Sequence, residues 1–345
     1  MQRGLLAAVL LVAGAASAAD VQGTLAANTT WTAAGGPYNL TGDVTVPAGV
    51  TLTVEPGAEV IAAASDALGA GADTLKVELI VRGTLRVRGT EATAATFRGA
   101  TAGANQWYGV RVELGTTSIL SGARVRDAVQ GLEVTGAGTS ATLSSSTLTG
   151  NVTGVSVTGG GTLAMDHTLV QGNRDFGAQI GAGTANFQYD TFDANGGYGL
   201  YIAQSSTSAK LTLQNSLVIG HTSYGLYAGA GTLTLSHNDV WNDTYWNYYG
   251  VSEGPHSFSA NPLFVSSSNP RPTSRSPARK AASDGVSDIG ALSYAGEATP
   301  FLAGTLHEDT TFSGNVLLQG DLTVAPGVTL TVMPGTTVTA RRFLA

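Results

Sequence analysis

A histidine beside a carboxylate can act as a general base. His167 with Asp190, supported by Asp166 and Asp193, is the sharpest such pairing in the sequence. Glu133 is the other acidic candidate, but glycoside hydrolysis usually wants two carboxyl groups across the scissile bond and Glu133 has no evident second. Calcium wants several converging oxygen ligands, which one glutamate does not supply. The five histidines fall in no metal-ligand spacing. No Gly-x-Ser-x-Gly elbow occurs, and no phosphate-cradling glycine loop precedes a helix. The motifs therefore name no metal and no cofactor. A different chemistry is open to Tyr201, Tyr227, Trp241, Tyr245, Trp246, Tyr248 and Tyr249. Exposed rings stack on sugar faces, pairing an apolar body with a polar tip; the competing reading is that several of them shield the end of a fold.

The elements that must carry these residues are repeats. Segments opening at Gly109, Gly131, Gly154, Gly177, Gly199 and Gly225 each begin with an alternating run, such as Gly131-Leu132-Glu133-Val134, and recur every 22 to 26 residues, inside the solenoid range. A second alternating run follows in each, as in Leu211-Thr212-Leu213, and then a third, as in Ser216-Leu217-Val218. Three short strands per coil, with glycine and asparagine between them and no helical periodicity after the first residues, predict an all-β right-handed parallel β-helix. Alternation from inward Val110, Leu132, Val155, Ala178, Leu200 and Leu226 puts Arg111, Glu133, Ser156, Gln179, Tyr201 and Tyr227 outward on the first strand. Ser146, His167, Asp190, Asn215 and Asn238 are expected at one turn position of successive coils. There Asn and Asp tolerate left-handed backbone and bond along the stack. That structural role competes with the acid/base reading of His167 and Asp190 and is preferred to it. Phe176, Tyr198 and Tyr224 are expected to form an internal stacking column.

The chain begins with Arg3, an apolar run and Ala16-Ser17-Ala18, the layout of a secretory signal peptide over residues 1–18. Export to the cell exterior or surface follows, and no later run is long enough to span a bilayer. There are no cysteines, which excludes a disulfide framework. A net charge of -7 without a basic patch argues against nucleic acid as a partner.

The run from Gly42 to Gly57, with Val81-Arg82-Gly83-Thr84-Leu85 and Trp107-Tyr108-Gly109-Val110 after it, resembles the opening coils of bacterial secreted and surface β-helix proteins of the pectin-lyase-like superfamily. Asn261-Pro262-Leu263-Phe264-Val265, Ser276-Pro277-Ala278 and Asp288-Ile289-Gly290 look like the segment that closes such helices. The coil rhythm predicts a helix over residues 19–253, and residues 254–302, which lose it and gather Pro, Ser and the basic residues Arg271, Arg275, Arg279 and Lys280, are expected to form a loop-rich closing segment. In that family, chemistry lies along the first strand, with aspartates for calcium or acid/base work. This sequence has no aspartate pair there. Gly320 to Gly335 repeats residues 42–57, so 303–345 reads as the start of a second, truncated β-helix whose open edge invites self-association.

Arg111, Glu133, Gln179, Tyr201, Tyr227, Trp241 and Trp246 are thus the expected contact residues for an extracellular polysaccharide or cell-surface glycan. A structural, adhesive or carbohydrate-binding role is the first reading. A polysaccharide lyase, with calcium as its cofactor, or a glycoside hydrolase is the alternative, with Glu133, His167 and Asp190 as its only catalytic candidates.

Overall fold

The computed structural model describes residues 18–341; the expected signal peptide lies outside them except for Ala18. From Ala19 to Tyr249 the chain winds into stacked coils whose strands pair in parallel. The second face is a nine-stranded sheet running from Thr29–Trp31 to Thr232–Ser236. The first and third faces run together through a narrow bend, as the unbroken strand Tyr38–Val46 illustrates: its start pairs on the third face and its end on the first.

Alternation sorts the side chains as expected. Val110, Leu132, Val155, Ala178, Leu200 and Leu226 are all fully buried. They meet a second-face column of Leu120, Leu143, Met165, Phe187 and Leu213 and a third-face column of Val125, Leu148, Val170, Phe192 and Val218. No coil could bury these alone, so stability comes from stacking.

Between the strands, buried N–H groups are satisfied by side chains one coil further on. At the bend from the third to the first face, the N–H of Ala128 donates to Asn151 Oδ1, that of Asn151 to Asn173 Oδ1, and that of Asn173 to Asn195 Oδ1, each at 3.0 Å. The amide groups continue the chain: Asn173 Nδ2 donates to Asn195 Oδ1 at 2.9 Å, and Asn195 meets the ring of His221, which bonds Asp243 at 2.7 Å. Sequence reading missed this ladder, although Gly-Asn at 150–151 and again at 172–173 was its signal. The glycines that open each coil are packed over it. A Cβ on Gly131, Gly154, Gly177 or Gly199 would lie 2.5 Å from the carbonyl oxygen of the next coil's glycine, a position no side chain can share.

The bend between the second and third faces departs from expectation by one residue. Left-handed backbone falls on Ser145, His167, Tyr189, Asn215 and His237. The buried bonding column is Ser146, Thr168, Asp190, Ser216 and Asn238, linked by Thr168 N–H to Asp190 (2.8 Å), Asp190 N–H to Ser216 (3.1 Å) and Ser216 N–H to Asn238 (3.0 Å). His167 and Asp190 therefore belong to different columns.

Residues 254–302 are loop-rich but double back along the helix. Leu217 and Ile219 point outward from the third face and are nevertheless buried, against Ala278, Ala282 and Ile289. Ser283 N–H donates to Asn215 Oδ1, Ala291 N–H to Thr191 Oγ1, and Arg271 pairs with Glu91. Arg275 and Arg279 bond backbone carbonyls within the segment. Beyond it, Gly304–Leu306, Thr310–Phe312 and Asn315–Leu318 pair in parallel with Leu322–Val324, Leu330–Val332 and Thr337–Ala340, two coils of a second stack.

Asn173→Ala orphans the Asn151 N–H and should destabilise the helix by roughly 2–4 kcal/mol. Gly177→Ala should cost roughly 1–3 kcal/mol through the blocked approach to Gly199. Urea unfolding checks both, and an unchanged midpoint for either would contradict the ladder's structural role.

Candidate functional site

Register along the first face sets the outward column as Ile80, Arg111, Glu133, Ser156, Gln179, Tyr201, Tyr227 and Tyr249, one residue per coil. A second column at the adjoining bend carries Phe176, Tyr198, Tyr224 and Trp246. The strip formed by the two is polar at one end and aromatic at the other.

At the polar end, Arg111 Nε lies 3.1 Å from Glu113 and 3.3 Å from Glu133. Arg82 bonds Glu113 at 2.7 Å, and the Tyr108 hydroxyl donates to Glu133 Oε2 at 2.8 Å. Burial, reinforced by the Glu133 charge, holds the Tyr108 phenol well above its ordinary value, so it stays protonated as a donor. Glu133 is thus spent on a guanidinium and a phenol. The neighbouring carboxylate, Glu113, shares the Arg111 guanidinium with it, so Arg111 lies between the two acids.

At the aromatic end, Phe176 stacks on Tyr198 at 5.4 Å and Tyr198 on Tyr224 at 5.6 Å. Tyr201 stacks on Tyr227 at 5.3 Å, and Tyr227 on Tyr249 at 4.6 Å with planes only 6° apart. Tyr198 to Tyr201 (4.9 Å) and Tyr224 to Tyr227 (5.4 Å) join the two ladders into one patch. Phe176, Tyr198 and Tyr224 do stack, but on the outer surface, half-buried beside Tyr201 and Tyr227, and not inside the helix. Tyr245, Trp246 and Tyr249 are exposed. The other two aromatics lie elsewhere: Tyr248 packs on the core beside Leu226, and Trp241 is on the third face, half-buried against the closing segment.

The His167 and Asp190 pairing does not form. His167 stacks on Tyr189 at 4.9 Å and bonds Asp166 at 2.9 Å at the surface. It stands at the rim of a cleft of about 730 Å³ between the third face and the closing segment, with Arg124, Gln171 and Arg271. Asp190 is fully buried, one coil on and one residue out of phase. Burial pushes its carboxyl well above the ordinary 3.8, and its open oxygen points at no solvent. Among the described residues, no group of three or more His, Cys, Asp or Glu side chains is placed to hold a metal ion. No helix there is long and apolar enough to cross a membrane.

Residues 85–240 match the family model described as the right handed beta helix region. The solenoid is a right-handed parallel β-helix. That hand follows from the right-handed crossover preference of parallel strands, and the architecture is consistent with the pectin-lyase-like superfamily. A search of curated proteins finds no match. The fold alone names no activity, since one β-helix scaffold can host many.

The β-helix also buries carboxyls near its last coils. Burial, with Asp243 nearby, lifts Asp239 from 3.8 to about 8. The unfolded chain loses that proton near pH 4 while the folded chain keeps it. The stabilisation is therefore complete below about pH 4 and is lost as pH rises through about 8. Melting midpoints should fall between pH 5 and pH 8. Asp239→Asn, which keeps an acceptor for the Ala260 N–H, should remove part of that fall, on the order of a few kcal/mol. A variant with the wild-type pH slope would contradict the assignment.

Proposed function

We propose that this β-helix is an exported protein that binds an extracellular polysaccharide or cell-surface glycan along its first face, in a structural or adhesive role without turnover. The observation that carries the reading is the pair of aromatic ladders, Phe176–Tyr198–Tyr224–Trp246 and Tyr201–Tyr227–Tyr249, open on the outer surface. Rings repeat at each coil with their faces turned to one another, so a linear sugar chain lying along the helix axis meets their apolar edges and hydroxyl tips at every step. Tyrosine hydroxyls, with Gln179 and Ser156 next in the column, offer hydrogen bonds to its hydroxyl groups. Arg111 and Glu133 extend the strip as a neutralised polar end.

A glycan array with the protein, followed by titration of any hit, tests this. Tyr201→Ala and Tyr227→Ala should each weaken binding several-fold to about tenfold, the scale of one lost stacking contact. Binding that survives the double substitution would sink the proposal. So would release of reducing ends or unsaturated sugars that vanishes on Glu133→Gln.

We further propose self-association through the second stack. Leu322–Val324, Leu330–Val332 and Thr337–Ala340 pair on one side only among the described residues, and Val324, Val332 and Val338 are exposed there. Exposed apolar side chains on neighbouring strands favour contact with another chain. Light scattering should report fewer chains per particle when residues 303–345 are deleted; an unchanged number of chains per particle rules this surface out.

A further inference from the structure

Where the chain enters the first face in its early coils, two carboxylates are buried one above the other. Val44 pairs with Leu79, which puts the preceding residues, Asp43 and Glu78, in one column. Only 2% of Asp43 and none of Glu78 is exposed. Each is half satisfied. Asp43 Oδ1 accepts the Glu78 N–H at 2.8 Å, and Glu78 Oε1 accepts the N–H groups of Ala72 and Asp73 at 2.7 Å. Asp43 Oδ2 and Glu78 Oε2 have no hydrogen-bond partner among the described residues. Both lie 2.7 Å from the point that a Cβ on Gly71 would occupy, so the two free oxygens converge beneath a glycine with left-handed backbone, φ +71°.

The surrounding charge sharpens the problem. Asp66 ties the loop through the N–H groups of Asp43, Leu68 and Ala70, and Asp66 and Asp73 both raise the field at Asp43. The nearby cations are engaged elsewhere: Lys76 bonds the Asn105 carbonyl at 2.7 Å, and Arg111 pairs with Glu113 and Glu133. Burial, with the Asp66 and Asp73 charges, pushes Asp43 up to about 6, and burial with the Asp43 charge, only partly offset by Arg111, pushes Glu78 up to about 7. A shared proton would cancel one charge of the four carried by these acids. A divalent ion cancels two and gives both free oxygens a partner.

We propose that Asp43 Oδ2 and Glu78 Oε2, under Gly71, bind a hard divalent cation of the calcium type, with loop carbonyls and water completing the shell. An all-oxygen donor set suits calcium and excludes soft metals. The ion would pin residues 66–78 to the first coils. The site lies apart from the aromatic ladders and stands whether or not those bind sugar.

Calorimetric titration of the EDTA-treated full chain with calcium chloride tests it, with melting midpoints measured in EDTA and in calcium. One equivalent should bind, and the midpoint should rise by about 5 °C at a hundredfold excess over the dissociation constant. Asp43→Asn and Glu78→Gln should each abolish the heat and the rise, and Glu91→Gln, an exposed carboxylate elsewhere, should preserve both. Should the two variants fail to fold, limited proteolysis of the wild-type loop decides, with calcium expected to slow cleavage at residues 66–76. No heat, a midpoint indifferent to calcium, equal cleavage in calcium and EDTA, or binding that persists in Asp43→Asn and Glu78→Gln would each overturn the proposal.

Discussion

A buried N–H at a bend has no strand to pair with, and in this helix the next coil's side chain accepts it. The asparagine ladder from Asn151 to Asn195 meets that demand at one bend, and the column from Ser146 to Asn238 meets it at another. An unsatisfied amide there would cost about as much as one coil contributes in excess stability, so each coil must place a short polar side chain at the same phase as its neighbour. The glycines packed over the asparagines enforce the same rule sterically, because their next-coil carbonyls leave no room for a Cβ. Phase at the bends then fixes phase on the faces. Tyr201, Tyr227 and Tyr249 line up because the ladder beneath them does.

The early and late coils solve different problems with that scaffold. Near Arg111 the outward positions carry charge, and the charges are consumed by one another and by Tyr108. Near Tyr227 the outward positions carry rings, and their only partners are other rings, leaving Tyr245, Trp246 and Tyr249 open. The third face differs again: its outward Leu217 and Ile219 are covered by the returning closing segment, so the strand is buried on both sides and reads as a continuous apolar run.

Much of this was legible in the sequence, for physical reasons. Strand alternation has a period of two, so the inward column from Val110 to Leu226 and the outward column from Arg111 to Tyr227 could be read from residue types alone. The bends have no such period. A column guessed from polar residue type ran through His167 and Asp190, whereas the paired strands advance together from Leu148 to Val170 to Phe192, which separates the two residues. The same rigid advance links Asn151, Asn173 and Asn195. The outward exposure of Tyr198 and Tyr224 was missed because a residue just before a coil glycine lies in the bend, where alternation does not say which side it faces. The path of the closing segment was written in Leu217-Val218-Ile219, an apolar run that a half-exposed strand would not carry.

Asp43 and Glu78 escaped sequence reading for a related reason. An insertion over residues 64–76 breaks the coil rhythm between them, so their separation matches no repeat. The general point concerns what a stack of parallel strands does to like residues. Equivalent positions sit at strand spacing, about 4.8 Å, with side chains pointing the same way. Aromatic rings gain from that arrangement by stacking, and amides gain by bonding along the column. Carboxylates lose, because like charges face one another with little water between them. Where this helix does stack two acids, they are buried under a loop with one oxygen of each left open. The spacing that stacks rings and amides leaves this acidic step with two carboxylate oxygens unsatisfied.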